Sequence, residues 1–225
     1  LKNVNDSKFS AKAMKWIDGT PTAFRVKNGS AAEVTMEDCF LILLQKPNCS
    51  LIINNTREMI ANKLNINLEW VDYKVSLSNS GAGVGLHFDR SDTFQIHVFG
   101  KKSWNICLNS NIHYPLSSYA QGTEIDSELL SYISENDLKE LPKLDHFELN
   151  PGDCFFVEAG MWHSTLAYEP SCTISFQIKI PVFINFVTSD LLRKQLIKQP
   201  QWRHKTYGLW EEGCLNERGR QRLKN

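Results

Sequence analysis

Two histidines and an aspartate are the residues whose types and spacing could hold a metal ion. His87 and Asp89 form a His-x-Asp pair just after a glycine-rich stretch at 80–85, and His163 follows 74 positions after Asp89. In a strand, residues i and i+2 point to the same side, so His87 and Asp89 can present an imidazole and a carboxylate to one point. Two imidazoles and one carboxylate on one face of an octahedron leave three positions open. Iron(II) needs this arrangement when it must bind a bidentate co-substrate and then dioxygen.

A His-x-Asp pair alone is common by chance, and its significance comes from its surroundings. The pair and the distant histidine each lie in a pattern of strands and turns, as two opposing strands of a barrel would require. The alternative is that these histidines lie in the core or on the surface and only satisfy hydrogen bonds. Spacing alone leaves both interpretations open.

The elements that must position these residues are short strands. Polar and apolar residues alternate from Trp70 in VDYKVSLS, TFQIHVFG and SWNICL, and again in HFELN, DCFFVEA, HSTLAY and CTISFQIKI. A polar insertion over 109–141, with a predicted short helix over 125–134, separates the two groups and is typical of a lid or a substrate-binding wall. Seven or eight short strands predict a mainly β protein, a double-stranded β-helix or jelly roll whose interior can hold a metal and a small ligand.

Helices are predicted to flank this barrel. Thr35 and Asp38 could open a helix that runs through CFLILLQK, although the apolar run FLILL also suits a buried strand. A second helix is predicted from Thr56, because its apolar residues recur at helical intervals. We therefore expect helical and strand elements over 1–69 that pack on the barrel, the barrel over 70–182, and a helical tail over 183–225.

Composition argues for an ordinary globular protein. The 225 residues include 25 Lys plus Arg and 25 Asp plus Glu, so no overall field favours nucleic acid or an anionic membrane. From Arg193 onward the sequence has nine basic and three acidic residues, which indicates a solvated helical face or a phosphate-rich or acidic partner. The six cysteines lack paired spacing and are expected to be reduced and buried, and no apolar run is long enough for a signal peptide or a membrane span. We expect a cytoplasmic location.

Residues 83–106 and 148–178 resemble the JmjC or cupin-like 2-oxoglutarate oxygenases, and most closely the ribosomal-oxygenase branch. The family pattern is H-x-D, D-x-F, Q-x-x-G-x-K/R-x-W and P-G-D, followed by a glycine and a histidine near the final strands. This sequence contains nearly all of these elements in order in GVGLHFDRSDTFQIHVFGKKSWNI and ELNPGDCFFVEAGMWHSTLAYEPSCTISFQI. The resemblance implies a cupin-type barrel and the cofactors Fe(II) and 2-oxoglutarate.

The resemblance also implies roles for individual residues. It makes His87, Asp89 and His163 the iron ligands and Lys102 the partner of the distal carboxylate of 2-oxoglutarate. An ammonium inside a dry barrel needs a counter-charge, which agrees with that role, although a solvated turn lysine is the alternative. Further residues expected at the cofactor are Ser78, Thr93 and Gln177. For Thr93 and Gln177, packing is an equal alternative. Six aromatic residues are expected in the core: Phe94, Phe99, Trp104, Phe156, Trp162 and Phe176.

The sequence departs from the family pattern on the expected substrate side. His97 stands where the family usually has glutamine, and it could be a fourth metal ligand or a hydrogen-bonded pocket histidine. We expect His97, Arg90 and Asp92 near the substrate, although Asp92 could equally be a solvated charge. About forty residues follow the barrel, fewer than the C-terminal extension of ribosomal oxygenases, so the sequence leaves substrates other than ribosomal proteins open.

The function expected from the resemblance is hydroxylation of an unactivated carbon, with release of succinate and carbon dioxide. The substrate would be a peptide or protein side chain, or an amino-acid-derived small molecule, together with dioxygen. Two alternatives remain: a cupin-type metalloenzyme that does not use 2-oxoglutarate, and a non-catalytic JmjC-like module that binds peptides. Neither a membrane nor nucleic acid is expected as a partner, and a homodimer is left open.

Overall fold

The protein divides into two compact units, Leu1–Ile180 and Pro181–Asn225. A computed structural model describes the strands at 10–17, 20–26 and 41–45, residues 51–198 without 142, residue 200, residues 210–211 and residues 214–224. The first unit contains the barrel with its insertion, and the second is a short segment of helices and a hairpin.

The strands of the first unit are β1 (Ser10–Ile17), β2 (Thr20–Val26), β3 (Leu41–Gln45), β4 (Val71–Ser78), β5 (Gly83–Phe88), β6 (Asp92–Phe99), β7 (Lys102–Ile106), β8 (Tyr119–Ala120), β9 (Asp145–Leu149), β10 (Cys154–Val157), β11 (His163–Ala167) and β12 (Ser171–Ile178). Its helices are α1 (Leu51–Leu64), α2 (Ser127–Leu130) and α3 (Glu135–Lys139). A 3-10 turn over Leu68–Trp70 leads from α1 into β4.

Two antiparallel sheets form the barrel, and the chain passes back and forth between them. The large sheet has the strand order β10-β6-β12-β4-β3-β1-β2, and the small sheet has the order β8-β5-β11-β7-β9. Strands β4, β6, β10 and β12 face β5, β7, β9 and β11 in the pattern of a double-stranded β-helix. The predicted fold class is confirmed.

The outer face of the large sheet carries one hydrophobic core. Alternate residues of β4 and β12, among them Val71, Tyr73, Phe176 and Ile178, pack against α1. Helix α1 contributes Ile53, Ile60 and Ala61, which recur at helical spacing and so lie on one face. Arg57 of the same helix donates from its guanidinium to the backbone carbonyls of Leu68 and Val71, which ties the helix to the start of β4.

The inner face of the large sheet is polar. Residues of β12 alternate between apolar side chains on the α1 side and Thr173, Ser175 and Gln177 on the side that faces the small sheet. The same alternation in β6 directs Thr93 and Gln95 inward. The interior of the barrel is therefore a polar cavity rather than the main hydrophobic core.

A second core joins the insertion to the small sheet. It contains Phe88 of β5 and Trp162, both fully buried, together with Ile112, Leu129 and Leu138 from the insertion. The ring of Phe88 meets that of Trp162 edge-on, with centroids 4.9 Å apart. The insertion is thus packed against the small sheet of the same unit.

The structure corrects the prediction for the first helix. Leu41–Gln45 is strand β3, which pairs with both β1 and β4, and the proposed cap residues Thr35 and Asp38 lie outside the described residues. A five-residue apolar run is ambiguous locally, and pairing on both edges favours the strand. The second helix is confirmed as α1, although it begins at Leu51. The short helix predicted over 125–134 corresponds to α2, and α3 follows it with Ser134 as its cap.

Two of the aromatic residues expected in the core are exposed. Phe99 is 60% exposed and Phe156 is 40% exposed, so the prediction is wrong for both. Each lies near a strand end, and Phe156 contacts Phe94 with ring centroids 4.8 Å apart while remaining partly open to solvent. Among the described cysteines, all of them free thiols, Cys107 is buried as expected, whereas Cys154 and Cys214 are exposed.

The second unit contains α4 (Phe183–Val187), α5 (Asp190–Leu196), β13 (Trp210–Glu211), β14 (Cys214–Leu215) and α6 (Glu217–Lys224). Ser189 caps α5 by accepting a hydrogen bond from the backbone amide of Leu192. The β13–β14 hairpin is an addition to the helices that the sequence predicts for this region. Over the described part of the chain, no helix combines the length and the apolar character that crossing a bilayer requires.

Candidate metal centre

Three side chains meet where β5 and β11 lie side by side. His87 is in β5, Asp89 follows the end of that strand, and His163 is the first residue of β11. His87 and His163 are direct partners across the two strands, and their ring centroids are 4.1 Å apart. One ligand atom from each of the three residues lies within 4.8 Å of the others. The structure thus brings together the predicted metal triad.

Backbone carbonyls orient both imidazoles. The Nδ1 atom of His87 lies 2.8 Å from the carbonyl oxygen of Gly85, and that of His163 lies 2.8 Å from the carbonyl oxygen of Met161. A carbonyl can only accept, so each Nδ1 carries a proton and each Nε2 is left as the ring nitrogen available to a metal ion. This second hydrogen bond is the usual way in which proteins fix the tautomer of a metal-binding histidine.

His163 is neutral at physiological pH. Burial lowers its pKa to about 4; the nearby His87 also lowers the pKa, while the Met161 carbonyl and Asp89 act in the opposite direction. Its Nε2 lies 4.0 Å from Oδ2 of Asp89, and with a neutral imidazole this contact is not an ion pair. A neutral imidazole beside a carboxylate is the state that a metal ion requires.

A tight loop holds Asp89 and His163 in place. The amide of Gly160 donates to the backbone carbonyl of Asp89 over 2.9 Å, and the carboxylate of Asp92 accepts from the amide of Ala159 over 2.8 Å. Gly160 has φ +88°, and a Cβ atom there would lie 2.2 Å from the carbonyl oxygen of Ile112. Only glycine fits this position without displacing the insertion.

The donor set suits a divalent transition metal. Two imidazole nitrogens and one carboxylate oxygen converge from one side, in the combination expected for non-haem iron(II). The three residues line a cavity of about 130 Å³, and the rest of its wall contains the inward-facing polar side chains of β6 and β12. The open coordination positions of a bound metal would therefore face this cavity.

Lys102 lies in the same cavity and is only 3% exposed. Its ammonium donates to the hydroxyl of Ser78 over 3.4 Å, and none of the ion pairs formed by the described residues involves it. Burial lowers the pKa of Lys102 to about 8. The neighbouring Lys101 instead points outward and pairs with Glu148 at 2.7 Å. A buried cation without an acidic partner favours an anionic ligand in the cavity.

The other predicted residues divide into two groups. Thr93 and Gln177 line the cavity, as expected, and Ser78 contacts it through Lys102. His97 is fully buried, with Nδ1 3.1 Å from the hydroxyl of Thr173 and Nε2 2.9 Å from the carbonyl of Gly100. Both its nitrogens are engaged, so the described structure gives it no free atom for a metal.

Arg90 and Asp92 flank the triad without sharing its cavity wall. Arg90 is exposed, and its backbone amide donates to the hydroxyl of Ser118 over 3.0 Å. The carboxylate of Asp92 accepts a hydrogen bond from the backbone amide of Ala159, in the loop before His163. Their predicted roles at the substrate stay predictions.

Several cavity residues were missed from sequence. Trp104, expected only as core, lines the cavity and stacks on His163, with ring centroids 5.3 Å apart and an 18° interplanar angle. Its buried indole N–H has no hydrogen-bond partner among the described residues. Gln95, Thr173 and Ser175 also line the cavity. These three polar residues alternate with apolar ones along β6 and β12. Such a polar set normally indicates the side of a strand that faces solvent.

A family model described as the JmjC domain matches residues 52–186. The chain belongs to the JmjC domain family. This match covers the barrel and both strands that carry the metal triad, so the resemblance seen in the sequence is confirmed.

Individual relatives of this JmjC chain include ribosomal oxygenases. The chain is 26% identical over 119 residues to a probable ribosomal oxygenase of Haemophilus influenzae, covering 52% of this chain and 26% of that protein. It is 26% identical over 132 residues to the uncharacterized protein YxbC of Bacillus subtilis, covering 57% of this chain and 40% of that protein.

Solved structures show the same fold. The X-ray structure of Escherichia coli ycfD has a TM-score of 0.62 and 17% identity, over 99% of this chain and 56% of that one. A structure of YcfD, described as a ribosomal oxygenase in complex with cobalt and 2-oxoglutarate, has a TM-score of 0.58 and 16% identity, over 99% and 55% of the two chains. The JmjC chain thus spans less than two thirds of the length of each of these relatives.

Proposed function

We propose that this JmjC chain is an Fe(II)- and 2-oxoglutarate-dependent oxygenase. The observation that carries the proposal is Lys102, a buried ammonium without an acidic partner among the described residues, in the same cavity as a two-histidine, one-carboxylate triad. A dicarboxylate would satisfy both groups if it bound the metal through its 2-oxo acid end and Lys102 through its distal carboxylate. The complex of the related YcfD with cobalt and 2-oxoglutarate supports the same combination.

His87, Asp89 and His163 would hold the iron, with the Nε2 atoms and one carboxylate oxygen as ligands. Bound together, iron and 2-oxoglutarate supply the activation of dioxygen, with release of succinate and carbon dioxide. The chain contributes position and exclusion of water. Ser78 would hold the ammonium of Lys102 toward the carboxylate, and Trp104 would fix the plane of the His163 ring by stacking on it.

Polar side chains of the large sheet would complete the co-substrate site. Gln95 donates from its amide nitrogen to the hydroxyl of Thr93 over 3.0 Å, and Ser175 donates to the amide oxygen of Gln95. Because these groups already bond one another, their positions are fixed before a ligand enters. Such preorganisation reduces the entropy lost on binding.

The substrate we propose is a protein side chain that is hydroxylated at an unactivated carbon. The name of the Haemophilus influenzae relative, a probable ribosomal oxygenase, and the description of YcfD as a ribosomal oxygenase support a protein substrate. An intact carboxylate at position 89 favours hydroxylation, because it occupies a coordination position that halogenation would need for a halide.

Turnover tests the proposal directly. Iron-loaded protein is incubated with 2-oxoglutarate, dioxygen and a panel of ribosomal-protein peptides and free amino acids, and succinate and the gain of one oxygen atom are measured. We expect succinate to form with 2-oxoglutarate and to increase with one class of substrate, and we expect the His163→Ala variant to produce none. Oxygen incorporation into a free amino acid alone would replace the protein substrate with a small one.

Two results would contradict the proposal. Oxidation of a substrate at an undiminished rate without 2-oxoglutarate would identify a cupin-type metalloenzyme of another kind. Tight binding of a peptide with no succinate from iron-loaded protein would identify a binding module instead.

A further inference from the structure

The carboxylate of Asp89 has two oxygens in different surroundings. Oδ2 faces the triad and lies 4.0 Å from Nε2 of His163. Oδ1 instead accepts a hydrogen bond from the hydroxyl of Ser118 over 3.4 Å. Ser118 belongs to the insertion, 29 positions after Asp89, and nothing in the sequence marked it as part of the metal site.

Ser118 is itself held in a definite orientation. The backbone amide of Arg90 donates to its oxygen over 3.0 Å. A hydroxyl that accepts on one side has its proton free to donate on another, and here that donation goes to Oδ1 of Asp89. The backbone amide of Arg90, the residue after Asp89, therefore holds the hydroxyl of Ser118. This hydroxyl in turn holds the carboxylate of Asp89.

The insertion that supplies Ser118 is anchored on the strand that supplies the first ligand. Tyr119–Ala120, strand β8, pairs with β5 so that Ala120 lies opposite His87 and Tyr119 opposite Phe88. The amide of Gln121 donates to the carbonyl of Leu86 over 2.9 Å. Ser118 thus enters the site from a segment that is hydrogen-bonded to the edge of β5.

An aromatic ring of the insertion also contacts residues that are adjacent in sequence to the metal triad. Tyr119 contacts both Phe88, which separates His87 from Asp89, and Trp162, which precedes His163, at centroid distances of 6.0 and 5.9 Å. The insertion is therefore a fixed support for the two ligand-bearing strands. A freely moving lid would lack this pairing and this packing.

We propose that Ser118 is a positioning residue that holds Asp89 as a one-oxygen metal ligand. Its hydrogen bond occupies Oδ1 and leaves Oδ2 for the ion. A carboxylate that bound through both oxygens would take one of the coordination positions needed for a bidentate co-substrate and dioxygen. This inference rests on the metal site of the proposed function, and it extends that site to a residue of the insertion.

Ser118→Ala tests the inference, with Ser117→Ala as a matched control. Ser117 is the preceding residue, and its buried hydroxyl has no hydrogen-bond partner among the described residues. Metal-free full-length protein is titrated with Co(II), and the dissociation constant and the visible absorption spectrum are recorded. Because Ser118 is solvent-exposed, we expect an effect at the lower end of the range for outer-sphere partners, about tenfold weaker binding. Ser117→Ala should bind Co(II) like the wild type, and Ser118→Thr, which keeps a hydroxyl, should restore affinity.

The outcomes separate this inference from the proposed function. If the wild type binds no Co(II), the metal site itself is wrong and the role of Ser118 fails with it. If the wild type binds Co(II) and Ser118→Ala binds within twofold of it with the same spectrum, only the role of Ser118 is overturned. If Ser118→Thr stays as weak as Ser118→Ala, the loss does not come from the hydroxyl, which also overturns the inference.

Discussion

Replacing Lys102 with methionine should weaken the binding of 2-oxoglutarate strongly while leaving metal binding intact. Methionine keeps much of the length and volume of the side chain and removes its charge. Truncating one partner of a buried, hydrogen-bonded charge pair costs about 2–5 kcal/mol. At a factor of ten for each 1.4 kcal/mol, the dissociation constant should rise roughly 30-fold to several thousand-fold.

The same replacement should stabilise the ligand-free protein. Burial lowers the pKa of Lys102 from 10.5 to about 8, which corresponds to about 3 kcal/mol of penalty on the charged form. Methionine removes that penalty, so the free energy of unfolding at pH 7 should rise by up to about this amount. A variant that is more stable and yet binds its ligand less tightly is hard to explain by misfolding.

Proton linkage gives the sign of the pH dependence. Between about pH 8 and pH 10.5 the unfolded chain keeps the proton that folded Lys102 has lost, so the stability of the ligand-free wild type should rise across this window. Affinity for 2-oxoglutarate should fall as pH rises above about 8, because the ammonium that binds the carboxylate is being lost. Both trends should be absent in Lys102→Met.

Calorimetric titration of Co(II)-loaded protein with 2-oxoglutarate at pH 7 measures the affinity, and urea unfolding measures the stability. Lys101→Met is the matched control, because the adjacent lysine is half exposed and pairs with Glu148 on the surface. Its loss should change stability little, because exposed ion pairs contribute little, and should leave the affinity unchanged. If Lys102→Met binds 2-oxoglutarate as tightly as the control does, Lys102 is not the carboxylate partner and the reasoning from its burial is refuted.

Three further predictions concern the loop glycine Gly160, the loop-bonding Asp92 and the buried Phe176. Gly160→Ala should lower the free energy of unfolding, measured by urea titration, by several kcal/mol, because φ +88° is strained for alanine and the new Cβ meets a backbone carbonyl. Gly152→Ala is the control: its φ is +100° but it has open space, so it should cost only the backbone strain of about 1–3 kcal/mol. Asp92→Ala should destabilise the fold by about 1–3 kcal/mol, because it orphans a loop amide, and should leave 2-oxoglutarate affinity unchanged; a rise in substrate KM alone would instead support a substrate role. Phe176→Ala should lower stability by about 3–5 kcal/mol and Phe99→Ala by less than 1 kcal/mol; equal losses would contradict the burial of the two rings.

Local patterns were sufficient to predict most of the barrel. Strand β4 coincides with the predicted run VDYKVSLS, and β6, β7, β9, β10, β11 and β12 overlap the other alternating segments, since period-two alternation depends only on near neighbours in sequence. Strand β5, which carries His87, lies outside those segments because its glycines interrupt the alternation. Whether Leu41–Gln45 forms a helix or a strand depends on its pairing with β1 and β4, which a five-residue apolar run does not encode. A possible cap at Thr35 and Asp38 favoured a helix there, and pairing with β1 and β4 decided for the strand.

The site was predictable where residue chemistry is distinctive and the family resemblance could select among candidates. His87, Asp89 and His163 are candidates because few side chains bind metals, and the resemblance selected them together with Lys102, whose need for a counter-charge inside a barrel agrees with that role. The threonine, serine and glutamine residues of the cavity wall were not identifiable, because alternation tells which residues share a face and not which face is inside. Ser118 could not be found from sequence, since its role depends on how the insertion folds back onto β5.

The two faces of the large sheet have different roles: the outer face packs in the hydrophobic core, and the polar inner face lines the cavity. In β12, Ile174 and Phe176 pack beneath α1, whereas Thr173, Ser175 and Gln177 face the cavity. Substitutions on the ligand side remove no apolar packing from that core, so ligand preference can change at little cost in folding free energy. A JmjC barrel of this kind can therefore diversify in what it accepts while the framework that carries its three metal ligands stays the same.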